Sequence, residues 1–290
     1  MTDMPVTDQS KDEHRETVRQ KVLQRRRDVA QKDRNRMRRI RIISAVIVFG
    51  AWEIYGWNSI DIIFTPFSQV IVQLFVLISG KPMMGGLTYP GAVMYSLSMF
   101  LGGLVIGSLV GIALGVAMGR FRAFEAAVGM YIYAVYSTPL VALIPLITLW
   151  FGLGISSQLI IISMFVMFPL TIAVYNGVRS VDPALIEVAK SFRANERDMW
   201  KHVIVPSVVP YIVTGLSQGV AMGLVGMFIS EIYTQLSGMG QLLASFANAH
   251  QTANMLAVLL TVMFMGIFFR WVIETFRKRL APWFNPDTKR

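Results

Sequence analysis

Of the 290 residues, 54% are hydrophobic and 15% charged, and the mean hydropathy of +0.54 excludes an ordinary soluble globular domain. Several apolar runs reach the roughly 20 residues that cross a bilayer. They are continuous rather than alternating, which excludes a β-barrel and leaves an all-α integral membrane fold. The absence of cysteine excludes disulfides and thiolate metal or redox centres. The net charge of +10 points either to nucleic acid or to membrane topology, and the placement of the charges decides between them.

Residues 1–39 form a basic cytoplasmic tail, densest at Arg25, Arg26 and Arg27 and again at Arg34, Arg36, Arg38 and Arg39. Val18, Val22, Val29 and Met37 make a poor apolar stripe, so a helix here is marginal in isolation and disorder is expected. No aromatic is interleaved with the basic residues, which argues against nucleic acid and for anionic lipid headgroups nearby. The first span is 40–57, with Trp52, Tyr55 and Trp57 as interfacial aromatics at its far end. An apolar stretch at 66–79 is too short to span and suits an interfacial or re-entrant helix that starts near Pro66 and Ser68. Gly80, Pro82, Gly85 and Gly86 then mark a loop.

The second span, 91–119, carries Gly103, Gly107, Gly111, Gly115 and Gly119 at a spacing of four, which places them near one face. Small residues at that spacing admit a close neighbour, whether as static packing or as a face that slides during transport. The third span, 128–151, contains Pro139 and Pro145 and a polar cluster of Tyr136, Ser137 and Thr138. That cluster reads either as a pathway lining or as kinked packing. The fourth span is 156–175. The fifth, 207–233, repeats the glycine spacing at Gly215, Gly219 and Gly223 and carries Gln218 and Glu231. A carboxylate in hydrocarbon is a candidate for function, although Glu231 is near enough to the span's end to reach the interface instead. A loop at 234–252 holds Ser237-Gly238-Met239-Gly240, and the sixth span is 253–271, followed by a basic tail.

With six spans and the N-terminus in the cytoplasm, every Lys and Arg except Lys81 falls on or beside the cytoplasmic side. The positive-inside rule is obeyed, so the basic charge is a topology signal, with both termini inside. It also places a polar island, 179–206, in the cytoplasm. The island reads as two short helices with an elbow: Asp182 N-caps the first, with Pro183 at its first position, and Asn195 N-caps the second. Leu185, Val188 and Phe192 fall on an apolar stripe of the first helix. That stripe rests on the protein or receives a partner. The chain has no G-x-x-x-x-G-K-[ST] nucleotide loop and no buried Asp/Glu/His relay, so a transporter of this design draws energy from elsewhere.

Glu187-Val188-Ala189 followed by Val203-Ile204-Val205-Pro206 resembles the EAA loop of bacterial ABC importer permeases, the binding-protein-dependent inner-membrane component, whose pattern is E-A-A-x3-G-x9-I-x-L-P. Glu187, Ala189 and Pro206 match outright, while Val188, Val203 and Val205 are apolar substitutes. The Ser137-Thr138-Pro139 run, Trp150-Phe151-Gly152-Leu153-Gly154, the stretch from Gly177 through Asp182-Pro183-Ala184-Leu185, and Ser237-Gly238-Met239-Gly240 look like the nitrate/sulfonate/taurine branch in particular. The resemblance covers about 40–283. One departure is that the motif glycine falls on Arg193. Either the elbow differs, or Asn195 takes over the left-handed turn, or Arg193 reaches a carboxylate on a matched ATPase.

The resemblance implies a permease domain over 40–276 with a type I importer fold of about six spans in the bacterial cytoplasmic membrane, flanked by basic tails at 1–39 and 277–290. It implies a permease homodimer, two ABC ATPase subunits docked on the paired islands with ATP and Mg bound there, and an extracytoplasmic substrate-binding protein. This chain is then a transporter subunit rather than an enzyme, with no cofactor or metal of its own. Glu187 and the first island helix act as the lever, and Met199 and Trp200 pack the second helix on the bundle. The branch implies small solutes, often sulfonates or nitrate but also heterocyclic precursors. The alternatives are a degenerate scaffold that binds an ATPase without transport, and an ion-coupled carrier.

Overall fold

The structure is a computed structural model that describes residues 8–60, 63–80 and 88–280. The loop residues Pro82, Gly85 and Gly86, together with 281–290 of the C-terminal tail, lie outside the described residues. The chain divides into two compact units, one of Met1–Ile60 with Phe64–Ser68 and the other of Asp61–Ile63 with Gln69–Arg290.

In the first unit, helix α1 runs unbroken from Asp8–Trp57, so the helix continues back through the basic tail that its apolar pattern leaves unsupported. The tail is rich in Gln, Arg, Lys and Glu, all good helix formers, and the span supplies the nucleus from which they extend. The segment after α1 folds back on it. Trp52 Nε1 donates to Thr65 O at 3.0 Å, and the Phe49 and Phe67 rings lie 4.7 Å apart. Gly56 makes room for this return, since a Cβ there would stand 2.5 Å from the Pro66 backbone.

Among the described residues ten further α-helices follow: α2 (Phe67–Ile78), α3 (Tyr89–Arg120), α4 (Arg122–Ser137), α5 (Ile144–Phe151), α6 (Ile155–Arg179), α7 (Pro183–Ser191), α8 (Glu196–Met199), α9 (Val205–Thr234), α10 (Met239–Asn248) and α11 (Thr252–Leu280). Among the described residues five helical stretches are long and apolar enough to cross a membrane, and a sixth crossing results if α4 with the helical stretch Leu140–Phe151 counts as one bent span.

The centre of the second unit is α6, held between two glycine faces. On one side, Cβ atoms added at Gly107, Gly111 and Gly115 of α3 would lie 2.6, 2.9 and 2.7 Å from the Ser163, Met167 and Thr171 carbonyl oxygens of α6. Gly103 and Gly119 extend the same row against Ile162 and Val178. On the other side, Gly215, Gly219 and Gly223 of α9 sit against Ala173, Leu170 and Val166. Both rows advance four residues per step, so three helix backbones approach at small-residue distance along their length.

Three sequence expectations are corrected. The third span is broken: α4 and the helical stretch Leu140–Phe151 meet at 98°. Pro139 starts the bend, Pro145 stands in the first turn of α5 where a missing N–H is tolerated, and Val141 O accepts from Ile144 N instead. The fifth span is not confined to 207–233, because α8 runs through a π-helical turn at Trp200–Ile204 directly into α9. The wide turn accommodates Pro206, which lacks the N–H of a regular helix. The stretch 234–252 is not simply a loop, because it contains α10.

Candidate functional site: the inner island and the outer helix caps

The island is built as a Schellman-terminated helix joined to a bundle helix. Asp182 is extended and its Oδ1 accepts from Ala184 N at 2.9 Å, with Pro183 at the first position. Asn195 does the same for α8, accepting from Asp198 N at 2.9 Å. At the end of α7, Ala194 N donates to Ala189 O at 3.1 Å and Arg193 N to Lys190 O at 2.9 Å. These are the paired bonds that close a helix around a left-handed residue. That residue is Arg193 itself, at φ +55°. The elbow therefore keeps the conformation that the family glycine would provide, and Asn195, extended at φ −73°, does not take it over.

No residue of α7 is buried. Leu185 and Val188 are 50% and 54% exposed and Phe192 is 82% exposed, so the apolar stripe does not rest on the bundle. Glu187 projects into solvent on the same helix. A groove of about 290 Å³ lies beside the stripe, between Leu185, Val188 and Ala189 of α7 and His202, Val203 and Pro206. The second helix is anchored, by contrast, because Met199 and Trp200 pack on Leu170, Val174, Ile204 and Val208. An ion pair between Arg120, at the end of α3, and Glu196, at the start of α8, braces the same side.

At the opposite end of α9, Glu231 is fully buried. Its Oε2 accepts from Gly240 N at 2.8 Å, and Met239 N donates to Ser96 Oγ of α3 at 2.9 Å. The first amides of α10 are thus satisfied by side chains from α9 and α3 rather than by a local cap, and the carboxylate meets the positive end of the helix dipole. Gly238, at φ +144°, has the Glu231 carboxyl group in the space a side chain would take, and Gly240 has the Phe228 carbonyl oxygen and Glu231 Cβ there. Glu231 and the Ser-Gly-Met-Gly run, two separate features in the sequence, are one unit. Beside them Tyr95 OH donates to Gln158 Oε1 at 2.8 Å, and Gln158 Nε2 donates to Thr234 Oγ1 at 2.6 Å, which ties α3, α6 and α9 together. Sequence reasoning missed Tyr95, Ser96 and Gln158; the signal was a cluster of polar residues at matching depth in three spans.

The other lone carboxylate of the spans has the same use. Glu53 of α1 accepts from Ser68 N at 3.0 Å and from Ser68 Oγ, at the start of α2, and from Trp57 Nε1 at 2.9 Å. The short helices α2 and α10 thus each begin on a carboxylate from the span before them, whereas α7 begins on Asp182.

The remaining candidates are dispersed. Ser137 and Thr138 are exposed at the break after α4, where Thr138 Oγ1 donates to Ala134 O at 3.0 Å, and Tyr136 packs near Met118, Ile132 and Phe168. Gln218 is exposed on α9, about 20 Å along the helix from Glu231 by helical rise. It faces a groove shared with α11 that the Tyr136–Thr138 cluster does not line.

The sequence profile of the binding-protein-dependent transport system inner membrane component matches residues 103–290. The taurine transport system permease protein TauC of Escherichia coli is 26% identical over 239 residues, covering 82% of this chain and 87% of the relative. The putative aliphatic sulfonates transport permease protein SsuC of Bacillus subtilis is 22% identical over 247 residues, 84% of this chain and 87% of the relative. The formylaminopyrimidine transport permease protein ThiX of Halalkalibacterium halodurans is 26% identical over 181 residues, 62% of this chain and 72% of the relative. A crystal structure of an amino acid ABC transporter with histidines superposes with a TM-score of 0.55 at 16% identity, covering 73% of this chain and 98% of that one, and shares the fold. The chain belongs to the family of binding-protein-dependent transport system inner membrane components, as the permease subunit of an ABC importer.

Proposed function

We propose that this permease carries a small sulfonate or taurine-like solute across the inner membrane, pairs with a second copy of itself, and is driven by ABC ATPase subunits that seat on the island. The observation that carries the coupling part is the exposed stripe of Leu185, Val188 and Phe192, which leaves apolar area on a helix the bundle does not cover. Closure of the ATPases on bound ATP moves α7, and α8 passes that motion into α9 because the two are one helical stretch. Glu187 is the lever's charged contact, and Arg193 and Asn195 shape the elbow behind it. A soluble binding protein delivers the solute at the outer face, where α10 lies. The solute class rests on the names of the taurine and aliphatic sulfonate relatives.

The degenerate-scaffold reading drew its support from Arg193 in place of the motif glycine. With Arg193 holding the left-handed position and the elbow closed by both Schellman bonds, that support is gone. The test is the complete importer reconstituted in vesicles. Glu187→Lys is expected to lower substrate-stimulated ATP hydrolysis and uptake together, and full coupling in that variant would remove the island's assigned role.

A further inference from the structure

Between α9 and α11 lies an open groove of about 690 Å³ whose walls are mostly aliphatic and whose polar side chains include the exposed Gln218 and Arg270 and the carboxylate of Glu274. Arg270 lies within an apolar helical stretch, Thr252–Arg279, that qualifies as a membrane span. It stands at the inner end of that stretch, shortly before the basic residues Arg277, Lys278 and Arg279. The nearest carboxylate of its own helix, Glu274, is already taken: Arg277 Nε donates to Glu274 Oε2 at 2.9 Å and Arg277 Nη2 to Glu274 Oε1. Among the described residues Arg270 makes no hydrogen bond or ion pair, and neither does the Gln218 amide. Thr214 and Ser217, which also line the groove, spend their hydroxyl protons on Pro210 O and Val213 O at 2.9 Å each. The groove therefore presents one guanidinium and one amide that make no hydrogen bond of their own, with the Glu274 carboxylate one turn along the same wall and engaged by Arg277.

We propose that Arg270 and Gln218 form an oxyanion-binding site that holds the sulfonate group of the transported solute on the inner part of its path. This rests on the sulfonate reading above and deepens it. A guanidinium presents parallel N–H donors to two oxygens of a sulfonate, and the Gln218 amide supplies a donor from the facing helix. The aliphatic walls from Leu224, Val262 and Ile267 suit the short carbon chain of an alkyl sulfonate. A phosphate headgroup of an anionic lipid has the same oxyanion chemistry, and the experiment separates the two sources.

The complete importer, with its ATPase and binding protein, is reconstituted in phosphatidylcholine vesicles with and without phosphatidylglycerol. Initial taurine uptake and binding-protein-stimulated ATP hydrolysis are then measured. Arg270→Gln is expected to cut uptake at least tenfold in both lipid mixtures while ATP hydrolysis stays within twofold, and Arg270→Lys to restore uptake to within threefold. Gln218→Leu is expected to cut uptake about threefold, and it reads the same site should Arg270→Gln fail to assemble. Unchanged taurine uptake in Arg270→Gln, or in Gln218→Leu where that variant stands in, overturns the site while leaving the sulfonate reading intact. A dependence on Arg270 that appears only with phosphatidylglycerol assigns the site to lipid and overturns it for the solute. A wild-type importer that carries no taurine or other alkyl sulfonate overturns the sulfonate reading, and the site with it.

Discussion

At the inner end of α9 the short helices begin on their own side chains, Asp182 for α7 and Asn195 for α8, each bonded to an amide two or three residues on. At the outer end α10 begins on groups from elsewhere, Ser96 of α3, 143 residues away, and Glu231 of α9. A locally capped helix keeps its structure when it moves, because its cap travels with it. A helix capped by its neighbours is fixed to them, and moving it leaves a buried carboxylate and two helix amides without partners. The inner helix α7 also has no buried residue, whereas α10 buries Met239, Gly240, Leu242 and Phe246. The difference teaches how one bundle can hold a rigid outer end and present a compliant inner one.

Substitutions test that contrast by size of effect. The largest loss is expected where the three central backbones meet. Gly115→Leu drives a side chain into Thr171 O and Val174 and should cost about 3 kcal/mol or more, seen as loss of monodisperse protein in detergent. Next comes the outer cap. Glu231→Leu leaves the Gly240 amide without its acceptor and should destabilise by about 1–3 kcal/mol, read as a lower midpoint of thermal unfolding. Asp182→Ala at the inner end should cost about 1 kcal/mol of α7 stability, read as faster amide exchange confined to the island. Smallest, and of opposite sign, Arg193→Gly relieves a left-handed residue and should tighten the elbow by about 1 kcal/mol. Unchanged or improved ATPase co-purification in that variant shows that Arg193 is not a required contact. If Asp182→Ala unfolds the whole chain while Glu231→Leu is tolerated, the contrast between the two ends is wrong.

What the sequence disclosed follows the same division. Asp182, Pro183 and Asn195 were legible because cap and helix are adjacent in the chain, and the glycine rows were legible because their period is that of the helix they lie on. Glu231 was visible as an anomaly but not as a cap, since its partners Gly238 and Gly240 are glycines with nothing to announce the contact. Helix α10 read as a loop because its first amides are satisfied from α3 and α9 rather than by a residue preceding it. The island was bounded at Pro206 and the fifth span at 207, yet the π-helical turn at Trp200–Ile204 carries one helix across that boundary. At Arg193, where the motif glycine is missing, the sequence left open whether Asn195 takes over the left-handed turn, and the paired bonds from Arg193 N and Ala194 N keep it at Arg193.

The most direct test compares amide hydrogen exchange in the two ends before and after the importer's own ATPase subunit is added to the permease. Residues 183–193 are expected to gain protection as Leu185, Val188 and Phe192 become covered, while residues 239–248 start protected and stay unchanged. No gain of protection in 183–193 under conditions where the ATPase remains bound would contradict the account.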